Sequence, residues 1–271
     1  MYINKPAIMN LEKITIEVCN LARDTGRYIY SEADSFSKSD IELKDRNNFV
    51  TYVDKESEKR LIKGLSMILP GSTFIAEENT VEQKVSDFTW IIDPLDGTTN
   101  YIHQLPVYSI SIALMKENEI VLGVVYEINN DECFYSWKGA PAYLNQAEIK
   151  VSPRTSLDDS LIATGFPYYD YSGLESYLAL FKDLMKKTRG IRRMGSAAVD
   201  LAYVGCGRFD AFFEYGLHPW DVAAGAFLVK QAGGKVSNFS STPEYLFTKE
   251  IVASNNIIHS KFMELVANFF G

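Results

Sequence analysis

Cysteine is scarce in this chain of 271 residues: Cys19, Cys133 and Cys206 are odd in number, far apart and form no CxxC pair. That excludes a disulfide framework and a zinc-type spacing, and the three read as reduced, mostly buried thiols. Histidine is equally sparse, with His103, His218 and His259 scattered as structural or surface residues rather than gathered as ligands. No stretch approaches the roughly 20 apolar residues that span a bilayer, and residues 1–6 lack the apolar run of a signal peptide. A cytoplasmic protein with no membrane partner is expected. Met9 stands as an alternative start just ahead of the first helix. Positive charge is short as well. Twenty-seven Lys and Arg face 35 Asp and Glu, the formal charge is −8, and no long basic block exists, so nucleic acid is not expected as the main ligand. Low-complexity tracts are missing too, and 46% hydrophobic residues suffice for a sizeable core in one large domain or two packed ones.

What is present is strongly patterned. Leu11, Ile14, Val18, Leu21, Thr25 and Ile29 recur at three- and four-residue steps and predict a helix over 10–31. A polar segment over 35–48 reads as a mobile loop. A second helix is expected over 54–69, with Pro70-Gly71 as its stop. Short apolar strands over 73–76 and 88–92 deliver Glu77-Glu78 and Asp93 at their ends. Strand-like runs over 108–116, 119–127 and 132–137 are separated by short turns, which favours antiparallel pairing. Beyond residue 160 helices over 174–187, 196–204, 220–232 and 258–269 interleave with strands near 161–164, 209–214, 235–237 and 251–254. The expected fold class is α/β: an α+β half over 1–152 and an α/β half over 153–271, with the boundary near Pro153 and no internal repeat.

The chemistry centres on Trp90-Ile91-Ile92-Asp93-Pro94-Leu95-Asp96-Gly97-Thr98-Thr99-Asn100-Tyr101, a hydrophobic strand running into two acids, a glycine and two hydroxyls. Pro94 keeps Asp93 extended, and Gly97 lets backbone approach a ligand. A helix begun at Thr98-Thr99-Asn100 would aim free amides back toward the carboxylates. Pro94-Leu95-Asp96-Gly97 reads equally as an ordinary turn. Asp221, in His218-Pro219-Trp220-Asp221, sits in a helix's first turn, where it either joins the other acids or simply favours the helix dipole. Asp54 has a similar ambiguity as an N-cap. Acids grouped without basic partners repel one another, and hard divalent cations, magnesium above all, resolve that repulsion.

Glu77-Glu78 after Phe74-Ile75-Ala76, the run from Trp90 to Tyr101, Ile191-Arg192-Arg193-Met194-Gly195-Ser196-Ala197-Ala198, Gly207-Arg208-Phe209-Asp210-Ala211-Phe212-Phe213-Glu214 and Trp220-Asp221 to Gly225 together resemble the inositol monophosphatase family of magnesium-dependent, lithium-sensitive phosphatases, in a bacterial-type member. The resemblance spans about 44 to 234. It implies a layered α-β-α-β-α sandwich and a homodimer. It implies that Glu77, Asp93 and the Leu95 carbonyl hold one magnesium, and that Asp93, Asp96 and Asp221 hold a second. Thr98 with Asp54 would orient and help deprotonate the attacking water, and Glu78 would support a third, weaker metal through water. Gly97, Thr98 and Thr99 would meet the phosphate; Gly195, Ser196, Ala197 and Glu214 would meet the leaving alcohol. Lys44 matches the family's mobile-loop lysine, or is a solvated loop charge. Ala76 departs from a glycine that some members carry.

The implied activity is hydrolysis of a phosphate monoester, myo-inositol monophosphate first, by in-line attack of activated water without a phosphoenzyme. Rivals on the same site are fructose 1,6-bisphosphate and the 2′-phosphate of NADP(H). 3′-Phosphoadenosine phosphate is disfavoured, because relatives that take it carry a lysine where this chain has Thr99-Asn100. The expected partner is a small phosphorylated polyol, sugar or dinucleotide; the reading of a different class is a non-catalytic, metal-dependent binding or regulatory protein that has lost turnover, against which none of Glu77, Asp93, Asp96, Thr98 or Asp221 is replaced.

Overall fold

The structure, a computed structural model, describes residues 9–33, 41–45, 48–78, 86–167 and 170–270. The chain opens with α1 (Leu11–Ala33), whose Ile14, Val18, Ala22 and Ile29 are buried at helical spacing, as the periodicity predicts. A hairpin of β1 (Ile41–Asp45) and β2 (Asn48–Thr51) follows where a loop over 35–48 is expected. The alternation Ile41-Glu42-Leu43 is the strand signal, submerged among charged neighbours in the sequence. Lys44 stands in β1, and its side chain, like residues 34–40 and 46–47, lies outside the described residues.

Next comes α2 (Tyr52–Ile68), which starts earlier than the expected 54 because Thr51 caps it. The Thr51 hydroxyl accepts from Val53 and Asp54, and Asp54 accepts from the Thr51 amide at 2.8 Å. Asp54 is therefore the reciprocal acid of a capping box rather than the N-cap itself.

Among the described residues the larger sheet has seven strands in the order β3-β4-β5-β6-β7-β8-β9. β3 (Thr73–Ala76) runs parallel to β4 (Phe88–Asp96), and antiparallel neighbours follow: β5 (Ser109–Lys116), β6 (Glu119–Glu127), β7 (Glu132–Trp137), β8 (Ala142–Leu144) and β9 (Ala147–Ile149). The last two are short and half-polar, and the sequence pattern does not announce them. A five-stranded sheet takes the order β11-β10-β12-β14-β13. Its members are β10 (Leu161–Thr164), β11 (Gly190–Arg192), β12 (Ala211–Tyr215), β13 (Gly234–Ser237) and β14 (Glu250–Asn255), with β10 parallel to both its neighbours and β14 antiparallel to both of its own.

The helices alternate with these sheets. α1 and α2 cover one face of the large sheet, and their interface is filled by Trp90, Ile92, Ile110, Leu122 and Val124. Between the sheets lie α5 (Ala197–Gly205) and α6 (Pro219–Gln231). These two are apolar nearly all round, as a helix sandwiched on both sides must be. Gly225 lets them approach closely, since a Cβ there would press on the Leu201 side chain. The far face of the small sheet is covered by α4 (Leu174–Lys187) and α7 (His259–Phe270). The layering is that expected of the α/β class. No helix among the described residues is long and apolar enough to cross a membrane.

Candidate active site

β4 does not end at Asp93 as its hydrophobic run suggests, and Pro94-Leu95-Asp96 is not a turn. The strand continues to Asp96 through a register shift opposite Ser109 and Ser111. Pro94 has no amide hydrogen for the ladder, so it is accommodated at this irregularity. The consequence is directional: Asp93 and Asp96 both turn toward the layer of α5 and α6. Parallel pairing of Ala76 with Ile92 then sets Glu77 beside Asp93, with the Glu77 amide donating to the Ile92 carbonyl at 3.3 Å. Across the gap, α6 opens with Pro219 at its first position, and Asp221 accepts from the His218 amide at 2.7 Å. Asp221 thus serves the helix end and faces the cavity too; the two readings of its sequence position are compatible.

Each aspartate is held by one oxygen. Asp93 Oδ1 accepts from the Leu95 amide at 2.9 Å. Asp96 Oδ2 accepts from the Ser196 hydroxyl at 2.6 Å and the Ala198 amide at 2.7 Å. Asp221 uses Oδ2 alone. None of the three makes an ion pair among the described residues. The electrostatic result is severe. Burial, then the charges of Glu77, Asp96 and Asp221, push the Asp93 carboxyl well above the ordinary carboxylate range. Asp221 is raised by burial and by Asp96, and Asp96 is pushed up to about 6 by burial against the opposing effect of its two donors and of the Arg193 charge.

Gly97 takes φ +99° and caps α3 (Thr98–Ile102); a Cβ there would come within 3.0 Å of the Val107 carbonyl. Thr98 Oγ1 lies 2.9 Å from Asp54 Oδ1 and 3.0 Å from the Leu95 carbonyl, so its single hydrogen is directed to that pair and its lone pairs face away. Asp54 is 1% exposed, its other oxygen bound by Thr51. Thr99 is exposed, and Glu78 donates its amide to Glu58 Oε2 at 2.7 Å. On the opposite wall Asn100 ties the Met194 carbonyl at 2.9 Å, Gly195 takes φ +97°, and Ser196 caps α5.

A cavity of about 340 Å³ gathers Glu77, Asp96, Asp221, Gly195, Ser196, Ala197 and Glu214. Asp93, 2% exposed, lies outside its lining, as do Asp54, Gly97, Thr98 and Thr99. Glu214 projects from β12 at 6% exposure and is pushed up to about 8 by burial, with Arg193 opposing and Asp96 adding. His218 and Trp220 stack at 4.7 Å on the rim. Sequence reasoning passed over Glu58 and Asp200. Glu58 shared the step Asp54, Glu58, Leu61, Leu65, an acid on an apolar helical stripe; Asp200 is the single charge in Ala197-Ala198-Val199-Asp200-Leu201-Ala202.

The donor set is all oxygen, the set that hard cations such as magnesium select. Among the described residues no three acidic, histidine or cysteine side chains close into a ready-made cage. Asp93, Asp96 and Asp221 are oriented and make no ion pair among the described residues, Arg193 on the cavity wall offsets the burial of Asp96 only in part, and a divalent cation relieves the repulsion that remains.

Comparison with known proteins adds a lineage. A model described as the inositol monophosphatase family matches residues 10–269. A Pseudomonas aeruginosa protein named Nus factor SuhB is 40% identical over 239 residues, 86% of this chain and 88% of that one. The inositol-1-monophosphatase of Mesorhizobium japonicum is 36% identical over 246 residues, covering 90% and 92%. The crystal structure of extragenic suppressor protein suhB from Bartonella henselae superposes with a TM-score of 0.88 at 35% identity, covering 94% of this chain and 98% of that one.

Proposed function

The chain belongs to the inositol monophosphatase family, and from that premise we propose that it hydrolyses phosphate monoesters with magnesium, a polyol monoester such as myo-inositol monophosphate being the substrate. The observation that carries the reading is the trio Asp93, Asp96 and Asp221, each anchored through one oxygen and making no ion pair among the described residues. In this proposal Glu77, Asp93 and the Leu95 carbonyl hold one ion, Asp93, Asp96 and Asp221 a second, and Glu78 supports a third through water. When bound, magnesium supplies charge neutralisation for the phosphoryl oxygens and acidifies water.

The remaining work falls to side chains. Asp54 fixes the Thr98 hydrogen, so Thr98 Oγ1 offers lone pairs to the attacking water and aligns it. Gly97, Thr98 and Thr99 bind the phosphate. Gly195 keeps backbone close to the leaving group, and Ser196, Ala197 and Glu214 contact the departing alcohol. A cytoplasmic homodimer completes the proposal. The NADP(H) 2′-phosphate and fructose 1,6-bisphosphate remain rival esters. The deciding experiment is phosphate release from a panel of these monoesters with magnesium and with EDTA. Turnover of a polyol ester above the others, abolished by EDTA, is the expected outcome; no release from any ester refutes the reading.

A second reading, action by binding rather than turnover, is favoured by the name Nus factor carried by relatives that are 40% identical. With a charge of −8, a protein partner fits that role better than naked nucleic acid. Regulation that survives in an Asp93→Asn variant lacking hydrolysis would support it.

A further inference from the structure

Asp200, in the first turn of α5, is 1% exposed, yet it lines the same cavity as Glu214. Its amide is spent on the helix, donating to the Ser196 carbonyl at 3.0 Å, and its Oδ1 has no hydrogen-bond donor among the described residues. It makes no ion pair among the described residues. The charges that act on it are Glu214 and Asp96, which oppose its ionisation, and Arg193, which favours it. The rest of α5 is Ala, Val, Leu, Tyr and Gly. An apolar or small residue would fit that surrounding without leaving a carboxyl oxygen unsatisfied, and unsatisfied buried polar groups are rare because each forfeits its hydration. A polar group so placed in a ligand cavity is completed by a donor on the ligand.

We propose that Asp200 is a second specificity residue, accepting a hydrogen bond from a hydroxyl of the leaving alcohol that Glu214 does not reach, so that the site selects phosphorylated polyols with donors at two separated positions. The inference rests on the phosphatase reading and deepens it. Asp200 and Glu214 come from different elements, α5 and β12, and because a hydroxyl carries one hydrogen, a single hydroxyl does not donate to both. An aromatic or simple alcohol satisfies neither. The competing role is a scaffold one, in which Asp200 only steadies Arg193, whose guanidinium lies 5.5 Å from the Phe166 ring centroid.

The test uses the full chain with Asp200→Ala and Asp200→Asn, measuring kcat/KM for myo-inositol 1-phosphate and for p-nitrophenyl phosphate, and the thermal midpoint in EDTA. Asp200→Ala is expected to lose about 10- to 100-fold on the inositol ester with less than about a twofold change on the nitrophenyl ester. Its midpoint should rise, because an unpaired buried oxygen is gone. Asp200→Asn keeps a carbonyl oxygen in place and should recover most of the inositol activity. Equal losses on both esters, or a fall in midpoint for both variants, overturns the proposal in favour of the scaffold role. If the wild type hydrolyses neither these two esters nor the NADP(H) 2′-phosphate or fructose 1,6-bisphosphate with magnesium, the phosphatase reading fails. Myo-inositol itself then decides Asp200: a midpoint rise in the wild type that Asp200→Ala lacks sustains the site, and equal rises or none overturn it.

Discussion

Replacing Asp93 by Asn should raise the stability of the metal-free protein while removing its activity. Asn keeps the shape and an oxygen for the Leu95 amide, so the local hydrogen bond at 2.9 Å is retained. What changes is charge. Asp93 is buried beside Glu77, Asp96 and Asp221, and its carboxyl is raised well above the usual range for those reasons, burial first. A carboxyl whose folded pKa exceeds its unfolded value of about 3.9 holds its proton longer in the native state. As pH rises above about 4 the unfolded chain gains stability by ionising, and the folded chain lags until its own pKa is passed. The wild type is therefore penalised at neutral and alkaline pH, and Asn escapes the penalty. A like-charge pair near a protein surface is worth about 4 kcal/mol at 4 Å with an effective dielectric of 20. Because the folded carboxyl takes up a proton rather than bear the full repulsion, the net effect is on the order of 1–3 kcal/mol. At about 2–4 °C per kcal/mol for a chain of this size, the midpoint in EDTA at pH 8 should rise by several degrees. At pH 4 the difference should vanish. With magnesium the order should invert, since the wild type gains from binding and the variant gains less. Thermal unfolding across pH, with and without magnesium, beside phosphate release from the same samples, is the assay. A variant less stable than wild type in EDTA at pH 8, or one with wild-type turnover, would refute the reasoning.

Thr98→Ala should lower kcat by about 10²- to 10⁴-fold with little change in KM, because the aligned lone pair is lost; a normal kcat with a raised KM would make Thr98 a binding residue instead. Ser196→Ala removes both the cap of α5 and a donor to Asp96, so about 1–3 kcal/mol of stability should go, read by urea unfolding; an unchanged midpoint would show that Ser109 or water substitutes. Glu214→Gln should stabilise the metal-free protein increasingly as pH climbs from about 4.5 to about 8, the interval between the ordinary and the raised pKa, and should weaken inositol or sugar esters more than p-nitrophenyl phosphate. A flat stability difference across that interval, or equal losses on the two esters, would count against it. Lithium at tens of millimolar should inhibit hydrolysis at low magnesium; its failure would remove the family's lithium sensitivity from this chain without touching the phosphatase reading.

The local order of the polypeptide was legible wherever one face had to be apolar. The stripe along α1, the turn-bounded apolar runs of β5 to β7 and the helix opened by Pro219 follow from periodicity, run length and end signals, because burial is encoded within a few residues. The run from Trp90 to Asn100 announced an acid-rich site for the same reason: a buried strand emptying into carboxylates and a glycine is chemically unusual on its own terms. Other features depended on partners far along the chain. Whether Pro94-Leu95-Asp96 is a turn or a displaced strand is decided by Ser109 and Ser111 on β5, which pair with Asp96 and Asp93 and hold them in the sheet. Asp54 meets Thr98 across 44 residues, Asp96 meets Ser196 across 100, and Asp200 comes to face Glu214's cavity only when α5 is laid between the two sheets. The hairpin of β1 and β2 and the strands β8 and β9 escaped the sequence pattern because three to five residues are too few for an alternation to stand out, and such strands are held by pairing with a neighbour's backbone. Sequence alone set which residues are acidic, apolar or free to turn; the tertiary structure set which acids share one buried volume, because Coulomb repulsion and desolvation depend on distance in space and not on distance along the chain.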